Sequence, residues 1–172
     1  MRATSALSAA VVLFCSLHAA HAARPTAPAP SPAASPATAL VAEVNAARAV
    51  ARSCGTTAFA AAPALKATNI HLNRVTQAQA QSMASSGSLA HPGQNTARLA
   101  AGGYPATVAL DLVAGDSGSG TAATTVAGWI ASPAHCAVLM DPQFVDLGVG
   151  YAENNASSTV FKHFWVAMFA KP

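Results

Sequence analysis

The segment Trp129–Ala152, WIASPAHCAVLMDPQFVDLGVGYA, is the most informative part of the chain, because it contains in turn a helix start, a helix end and a strand. Ser132-Pro133 starts the helix, with serine as the N-cap and proline at the first helical position. Asp141-Pro142 ends it, because a residue before proline avoids the helical region. Val145–Tyr151 alternates apolar residues with aspartate and glycines, which predicts a strand buried on one face.

Further helices and strands are predicted on both sides of this segment from the spacing of apolar residues. The stretch Val160–Ala170 is apolar on both faces after Lys162, so we expect a central strand covered on both sides. The remaining predictions are helices over Thr38–Ala51, Asn69–Ser85, Thr96–Ala101 and Thr121–Ile130, and a strand over Val108–Ala114. Together they predict an α/β domain with helices on both faces of a small sheet.

The N-terminal residues have the composition of an export signal followed by a tether. Residues 1–22 combine Arg2, an apolar stretch and an Ala-His-Ala cleavage site, which is typical of a secretory signal peptide. Residues 23–37 hold five prolines among alanine and serine, which favours an extended linker. No other segment reaches about 18 uninterrupted apolar residues, so we expect no transmembrane segment. Residues 38–172 are then one domain, secreted to the periplasm or fully outside the cell.

The charge of the domain excludes one class of partner. The chain has nine basic and six acidic residues, but Arg2 and Arg24 precede the domain, which leaves seven basic residues against six acidic ones. The basic residues form no cluster and do not alternate with aromatic residues, so we expect no nucleic-acid partner. A nearly neutral surface fits a domain that meets an apolar ligand or a component of the cell envelope.

Two cysteines, Cys54 and Cys136, remain once the signal peptide is removed. An even pair of cysteines in an exported chain predicts a disulfide. The alternative is a reactive or metal-binding thiol, which needs an activating environment or further ligands at close spacing. We favour the disulfide and keep the thiol as the alternative.

Several stretches of the domain, in this order, resemble the bacterial branch of the CAP superfamily, also called SCP-like extracellular domains. LVAEVNAARA resembles the first helix of that family, and LAHPG resembles the stretch with its first site histidine, which falls on His91. The opening segment resembles the strongest signature of the branch, whose histidine falls on His135. Some members pair a cysteine beside that histidine with one in an Arg-x-Cys-Gly stretch, which corresponds to Cys136 and Cys54. The resemblance implies a three-layer α-β-α sandwich with a cleft that contains His91 and His135.

The acidic motif of the family is altered in this chain. The resemblance places Leu110 at the site glutamate and Asp111 at the following asparagine, whereas a slip of one residue would put Asp111 at the glutamate. A second glutamate of many eukaryotic members has no counterpart, because residues 117–140 contain no acid. His163 lies one residue from the strand position of a eukaryotic site histidine, which turns it to the opposite face.

His91, His135 and Asp111 are therefore the candidate cleft residues. Read without the resemblance, His91 is an exposed loop histidine and His135 is a packed histidine bonded to the backbone. The two histidines can hold zinc or another divalent metal only with further ligands, for which Asp111 and Asp116 are the candidates. No Gly-x-Ser-x-Gly motif is present, and helix capping explains Ser132, so we predict no catalytic residue.

We expect a monomeric, non-enzymatic binding module with a degenerate cleft. Its ligand is expected to be a small apolar molecule, such as a sterol or another lipid, or a component of the cell envelope. The alternative is a hydrolase of extracellular or cell-envelope polymers that depends on a divalent metal held by His91, His135 and Asp111.

Overall fold

A computed structural model describes residues 34–156 and 158–172, so the predicted signal peptide and most of the predicted linker lie outside the described residues. The five helices and three long strands predicted from the sequence are confirmed, and one short hairpin was not predicted. The elements are helices α1 (Pro36–Arg48), α2 (Ile70–Ser86), α3 (Asn95–Ala101), α4 (Ala122–Ala131) and α5 (Pro133–Met140), and strands β1 (Arg52–Cys54), β2 (Thr57–Phe59), β3 (Val108–Asp116), β4 (Asp146–Glu153) and β5 (His163–Lys171).

Helix α1 begins at Pro36, inside the segment predicted as linker, and the predicted N-cap Thr38 is wrong. The N-cap is Ser35, whose Oγ accepts a hydrogen bond of 3.2 Å from the backbone N–H of Thr38. Proline suits the first turn because the N–H that it lacks has no partner inside the helix. The helix therefore starts two residues before the predicted position.

The predicted extension of α1 to Ala51 is also wrong, because a hairpin follows the helix. Arg52 pairs with Phe59 and Cys54 pairs with Thr57 in an antiparallel hairpin. Gly55 has a φ of +63° in that turn, a left-handed conformation that glycine adopts without strain. Strands of three residues are too short to show the alternation of apolar and polar residues by which a strand is recognised in a sequence.

Strand β5 is the centre of the three-stranded sheet and pairs antiparallel with β3 and β4. Helices α1, α4 and α5 pack on the face that contains Trp165, Ala167 and Phe169. Helices α2 and α3 cover the other face, which contains Val166 and Met168. The central strand covered on both sides and the three-layer α-β-α architecture, an α+β arrangement, are thus confirmed.

Strand β4 is buried on both faces, so the predicted half-buried strand is wrong. Gly148 and Gly150 are buried because α2 lies directly against them. A Cβ atom on Gly150 would lie 2.3 Å from the carbonyl oxygen of Thr76. The glycines therefore mark a close approach of helix and sheet and not an exposed face.

None of the helices in the described part of the chain is by itself long and apolar enough to cross a membrane. Helices α4 and α5 reach the required length and composition only when joined, and a bend of 110° separates them.

Candidate functional site

The predicted disulfide between Cys54 and Cys136 is confirmed. It joins β1 to α5 with the two Cα atoms 5.4 Å apart, and both cysteines are buried. A Cβ atom on Gly55 would lie 3.1 Å from Cβ of Pro133, so the hairpin turn packs against the first turn of α5. The disulfide therefore fixes the helix that presents His135, and the alternative of a reactive thiol at these cysteines is wrong.

His91 and Asp111 are brought together by the fold. His91 lies in the loop between α2 and α3, and its Nδ1 is 3.3 Å from Oδ2 of Asp111 on β3. The Asp111 side chain is 6% exposed, whereas that of His91 is 52% exposed. At this distance Nδ1 can donate a hydrogen bond to the carboxylate, and Nε2 is the ring nitrogen that this contact leaves unused.

Two amide side chains hold Asp111 in addition to His91. Gln79 Nε2 donates to Oδ2 at 2.7 Å, and Asn95 Nδ2 donates to Oδ1 at 2.9 Å. Burial raises the pKa of Asp111, but the hydrogen bonds from Gln79 and Asn95 and the neighbouring His91 outweigh it and leave the pKa below its usual value. Asp111 is therefore an ionised carboxylate at neutral pH.

Arg98 on α3 closes these contacts into a ring. Its Nη2 donates to Gln79 Oε1 at 3.0 Å, and its Nη1 donates to Asn95 Oδ1 at 3.1 Å. Gln94, which precedes Asn95, has a φ of +48°, the only positive φ of a non-glycine residue among residues 34–156 and 158–172. A left-handed conformation of a residue other than glycine costs energy, and such conformations cluster at active sites and ligand clamps.

Sequence reasoning missed Gln79, Asn95 and Arg98. One signal was present for Gln79, because its spacing from Leu72 and Met83 places it on the apolar side of α2. Gln79 is 4% exposed. A buried amide in an apolar stripe must find hydrogen-bond partners, which here are Asp111, Arg98 and the carbonyl oxygen of Ala90.

His135 lines a separate cleft of about 370 Å³ between α4, α5 and the end of β3. Ser132 occupies the N-cap position of α5 as predicted, although its side chain accepts no capping hydrogen bond. The other residues of the cleft wall are Leu89, Ala114, Gly115, Asp116, Thr124, Thr125, Gly128 and Trp129. Neither His91 nor Asp111 lines this cleft.

The structure places the His91–Asp111 pair outside the cleft that His135 lines. Asp111 faces α2, where Gln79 donates to it, whereas Ala114 packs with the core around Trp129 on the other face. Within the described ranges, no three His, Cys, Asp or Glu side chains gather closely enough to hold a metal ion. His91, His135 and Asp111 therefore do not form the three-ligand set that a zinc centre needs.

Leu110 and His163 lie outside both the His91–Asp111 pair and the cleft beside His135. Leu110 is 43% exposed, so an apolar side chain meets solvent beside Asp111. His163 Nδ1 lies 2.7 Å from Oη of Tyr151, whose hydroxyl donates to Glu153. Partial burial, followed by the hydrogen bond to Glu153, raises the pKa of Tyr151.

The chain matches the family model described as CAP, cysteine-rich secretory protein family, over residues 41–169. No curated protein matches the chain. Among solved structures, an outer surface protein from Borrelia burgdorferi has a TM-score of 0.53 at 15% identity, and the match covers 62% of this chain and 77% of that one. At this identity, the similarity concerns the fold alone.

Two larger bacterial proteins contain a similar region. An extracellular protein with an SCP domain from Bacillus anthracis has a TM-score of 0.49 at 23% identity, over 64% of this chain and 35% of that one. A cysteine-rich secretory protein from Staphylococcus aureus has a TM-score of 0.49 at 14% identity, over 64% of this chain and 33% of that one. The chain thus spans about a third of the length of these two proteins.

Proposed function

Because the chain belongs to the CAP family of cysteine-rich secretory proteins, we propose that it is an exported, non-enzymatic module that binds a small apolar ligand, such as a sterol or another lipid. The solved Borrelia burgdorferi structure with a similar fold is described as an outer surface protein, which supports export. The Pro-rich residues before α1 fit a tether that separates the domain from its point of export.

The observation that supports ligand binding best is the cleft beside His135. Its volume of about 370 Å³ lies within the usual range of small-molecule sites, which starts at roughly 300 Å³. Leu89, Ala114 and Trp129 give it apolar walls, and the polar side chains of the lining are Asp116, Thr124, Thr125 and His135. Such a lining suits an apolar body with one hydroxyl or carbonyl group.

The hydrogen bonds of the histidines favour binding over catalysis. The three histidine side chains that form polar contacts in the described ranges are those of His71, His91 and His163. They meet the backbone of Gly102, the carboxylate of Asp111, and the hydroxyl of Tyr151 with the carboxylate of Glu153, respectively. None of these contacts joins a histidine to the Ser, Thr or Cys side chain that nucleophilic catalysis requires. Asp111 accepts hydrogen bonds from Gln79 and Asn95, and it is not part of the cleft wall.

The alternative of a metal-dependent hydrolase finds no three-ligand set in the part of the chain that the structure describes. It predicts hydrolysis of an extracellular polymer that zinc restores after chelation. A binding module predicts no turnover under either condition.

Gly128 offers a direct test, because it lines the cleft and a Cβ atom on it would meet nothing within 4 Å. Gly128→Phe is expected to fill the cleft and to weaken ligand binding by about a hundredfold, since the ring occupies the ligand's volume. Native mass spectrometry of the exported protein after incubation with a lipid extract measures the bound fraction.

Gly128→Ala is the matched control, because it adds one methyl group and leaves most of the cleft open. It is expected to keep the bound ligand and to stabilise α4 by about 0.5–1 kcal/mol, as alanine favours a helix over glycine. Equal lipid binding by wild type and Gly128→Phe would show that the cleft is not the binding site.

A further inference from the structure

We propose that Arg98 takes the electrostatic place of a metal ion at the His91–Asp111 pair, so that this chain holds its acid and its histidine together without a bound cation. A cluster of a carboxylate and a histidine is otherwise a common divalent-metal site. Here the positive charge beside Asp111 belongs to the protein itself.

The geometry of the ring fixes how the two amides face Asp111. An amide group has one oxygen that accepts and one nitrogen that donates, and it can flip by 180°. Arg98 has only donors, and it donates to Gln79 Oε1 and to Asn95 Oδ1. Both amide oxygens must therefore face Arg98, and both NH₂ groups must face Asp111.

The same arrangement leaves a metal ion with too few ligands. Asp111 already receives hydrogen bonds from Gln79 Nε2 at 2.7 Å and Asn95 Nδ2 at 2.9 Å, and His91 Nδ1 lies 3.3 Å away. Three donors occupy most of the acceptor positions of the carboxylate. Only Nε2 of His91 remains open, and one nitrogen does not make a metal site.

The positive charge of Arg98 also opposes the binding of a metal ion at Asp111. A single amide side chain, Gln79 on one side and Asn95 on the other, separates the guanidinium of Arg98 from Asp111. The guanidinium would therefore repel a second cation at Asp111. Asp111 is nearly buried, so solvent screens this repulsion weakly. Arg98 is therefore a positioning residue that acts on His91 through Gln79, Asn95 and Asp111.

Zinc titration followed by NMR at the His91 ring tests the proposal. In the wild type, one equivalent of zinc is expected to leave the His91 ring signals unchanged. In Arg98→Met, the charge and both donor contacts are lost, and zinc affinity at His91 is expected to rise by about tenfold or more. The ring signals report this site separately from zinc bound at other histidines.

Arg74→Met is the matched control, because Arg74 is an exposed arginine of α2 that forms no hydrogen bond with the described residues. It is expected to respond to zinc as the wild type does. Broadening of the wild-type His91 signals by one equivalent of zinc overturns the proposal, as does an equal zinc affinity in Arg98→Met and Arg74→Met. If Arg98→Met does not fold, Arg98→Gln replaces it and is judged by the same comparison.

Discussion

Replacement of both cysteines, Cys54→Ala with Cys136→Ala, is expected to lower the free energy of unfolding by about 4–5 kcal/mol. The disulfide closes a loop with a sequence separation of 82, and a link of that span removes much of the entropy of the unfolded chain. Both cysteines are buried, so the folded protein protects the bond from reductants. Urea unfolding of the double variant and of the oxidised wild type measures the difference.

The wild type reduced in denaturant and refolded with its thiols free is the control for this prediction. It lacks the link but keeps both sulfur atoms in the core, so it is expected to lose nearly as much stability as the double variant. A loss below about 1 kcal/mol in both samples would show that the disulfide does not govern the stability of the domain.

The variant Arg48→Met is expected to lower the free energy of unfolding by about 3–5 kcal/mol. Arg48 is fully buried, and its guanidinium donates to three carbonyl oxygens, at 2.9 Å to Pro63, 2.6 Å to Leu139 and 3.1 Å to Asp141. Methionine preserves much of the volume but leaves these oxygens without that donor. The loss arises from unsatisfied polar groups and not from a cavity.

Burial lowers the pKa of Arg48, and the nearby Asp141 opposes that effect, which is consistent with a cation placed where desolvation is severe. Arg74→Met again serves as the control, because an exposed arginine is expected to contribute within about 0.5 kcal/mol. Thermal and urea unfolding compare the two variants. A loss below about 1 kcal/mol in Arg48→Met would contradict the role assigned to the three carbonyl contacts.

The elements that the sequence predicts well are those with local causes. Pro133 and Asp141-Pro142 set the bounds of α5, because proline suits the first helical position and the residue before a proline avoids the helical region, and neither effect needs a distant partner. The apolar residues of β5 identify a central strand because both of its faces must be covered. These signals depend on neighbours in the chain alone.

The features that the sequence predicts poorly depend on packing between distant segments. Gly148 and Gly150 indicate an exposed face of β4 by their alternation, whereas they are the positions where α2 approaches the sheet. Arg48 has the sequence position of a basic residue at a helix end, but the surrounding loops enclose it. A polar or small residue in the sequence does not reveal what a later segment will place against it.

The candidate site also has features that the sequence indicates and features that depend on packing between distant segments. His91 and Asp111 are both candidates from the sequence and lie side by side, but the ring through Gln79 and Arg98 arises only when α2 and α3 meet beside β3. The family resemblance groups His135 with His91, and the cleft that His135 lines includes Leu89, from the loop that carries His91, but neither His91 nor Asp111. Proximity of motifs in a family pattern does not determine which face of a strand each residue occupies.

The two tryptophans allow the binding of an apolar ligand in the cleft beside His135 to be measured directly. Trp129 lines the cleft, and its Nε1 donates to the carbonyl oxygen of Val113 at 3.2 Å. Trp165 is buried in the core, and its Nε1 has no hydrogen-bond partner among the described residues. Their indole N–H signals should therefore differ in chemical shift and report on separate places.

A two-dimensional NMR titration of the exported protein with a sterol or a lipid extract follows both indole signals at once. The Trp129 signal is expected to shift with added lipid while the Trp165 signal stays in place. Lipid binding that leaves the Trp129 signal unmoved would contradict the account, because the ligand would then occupy another part of the molecule.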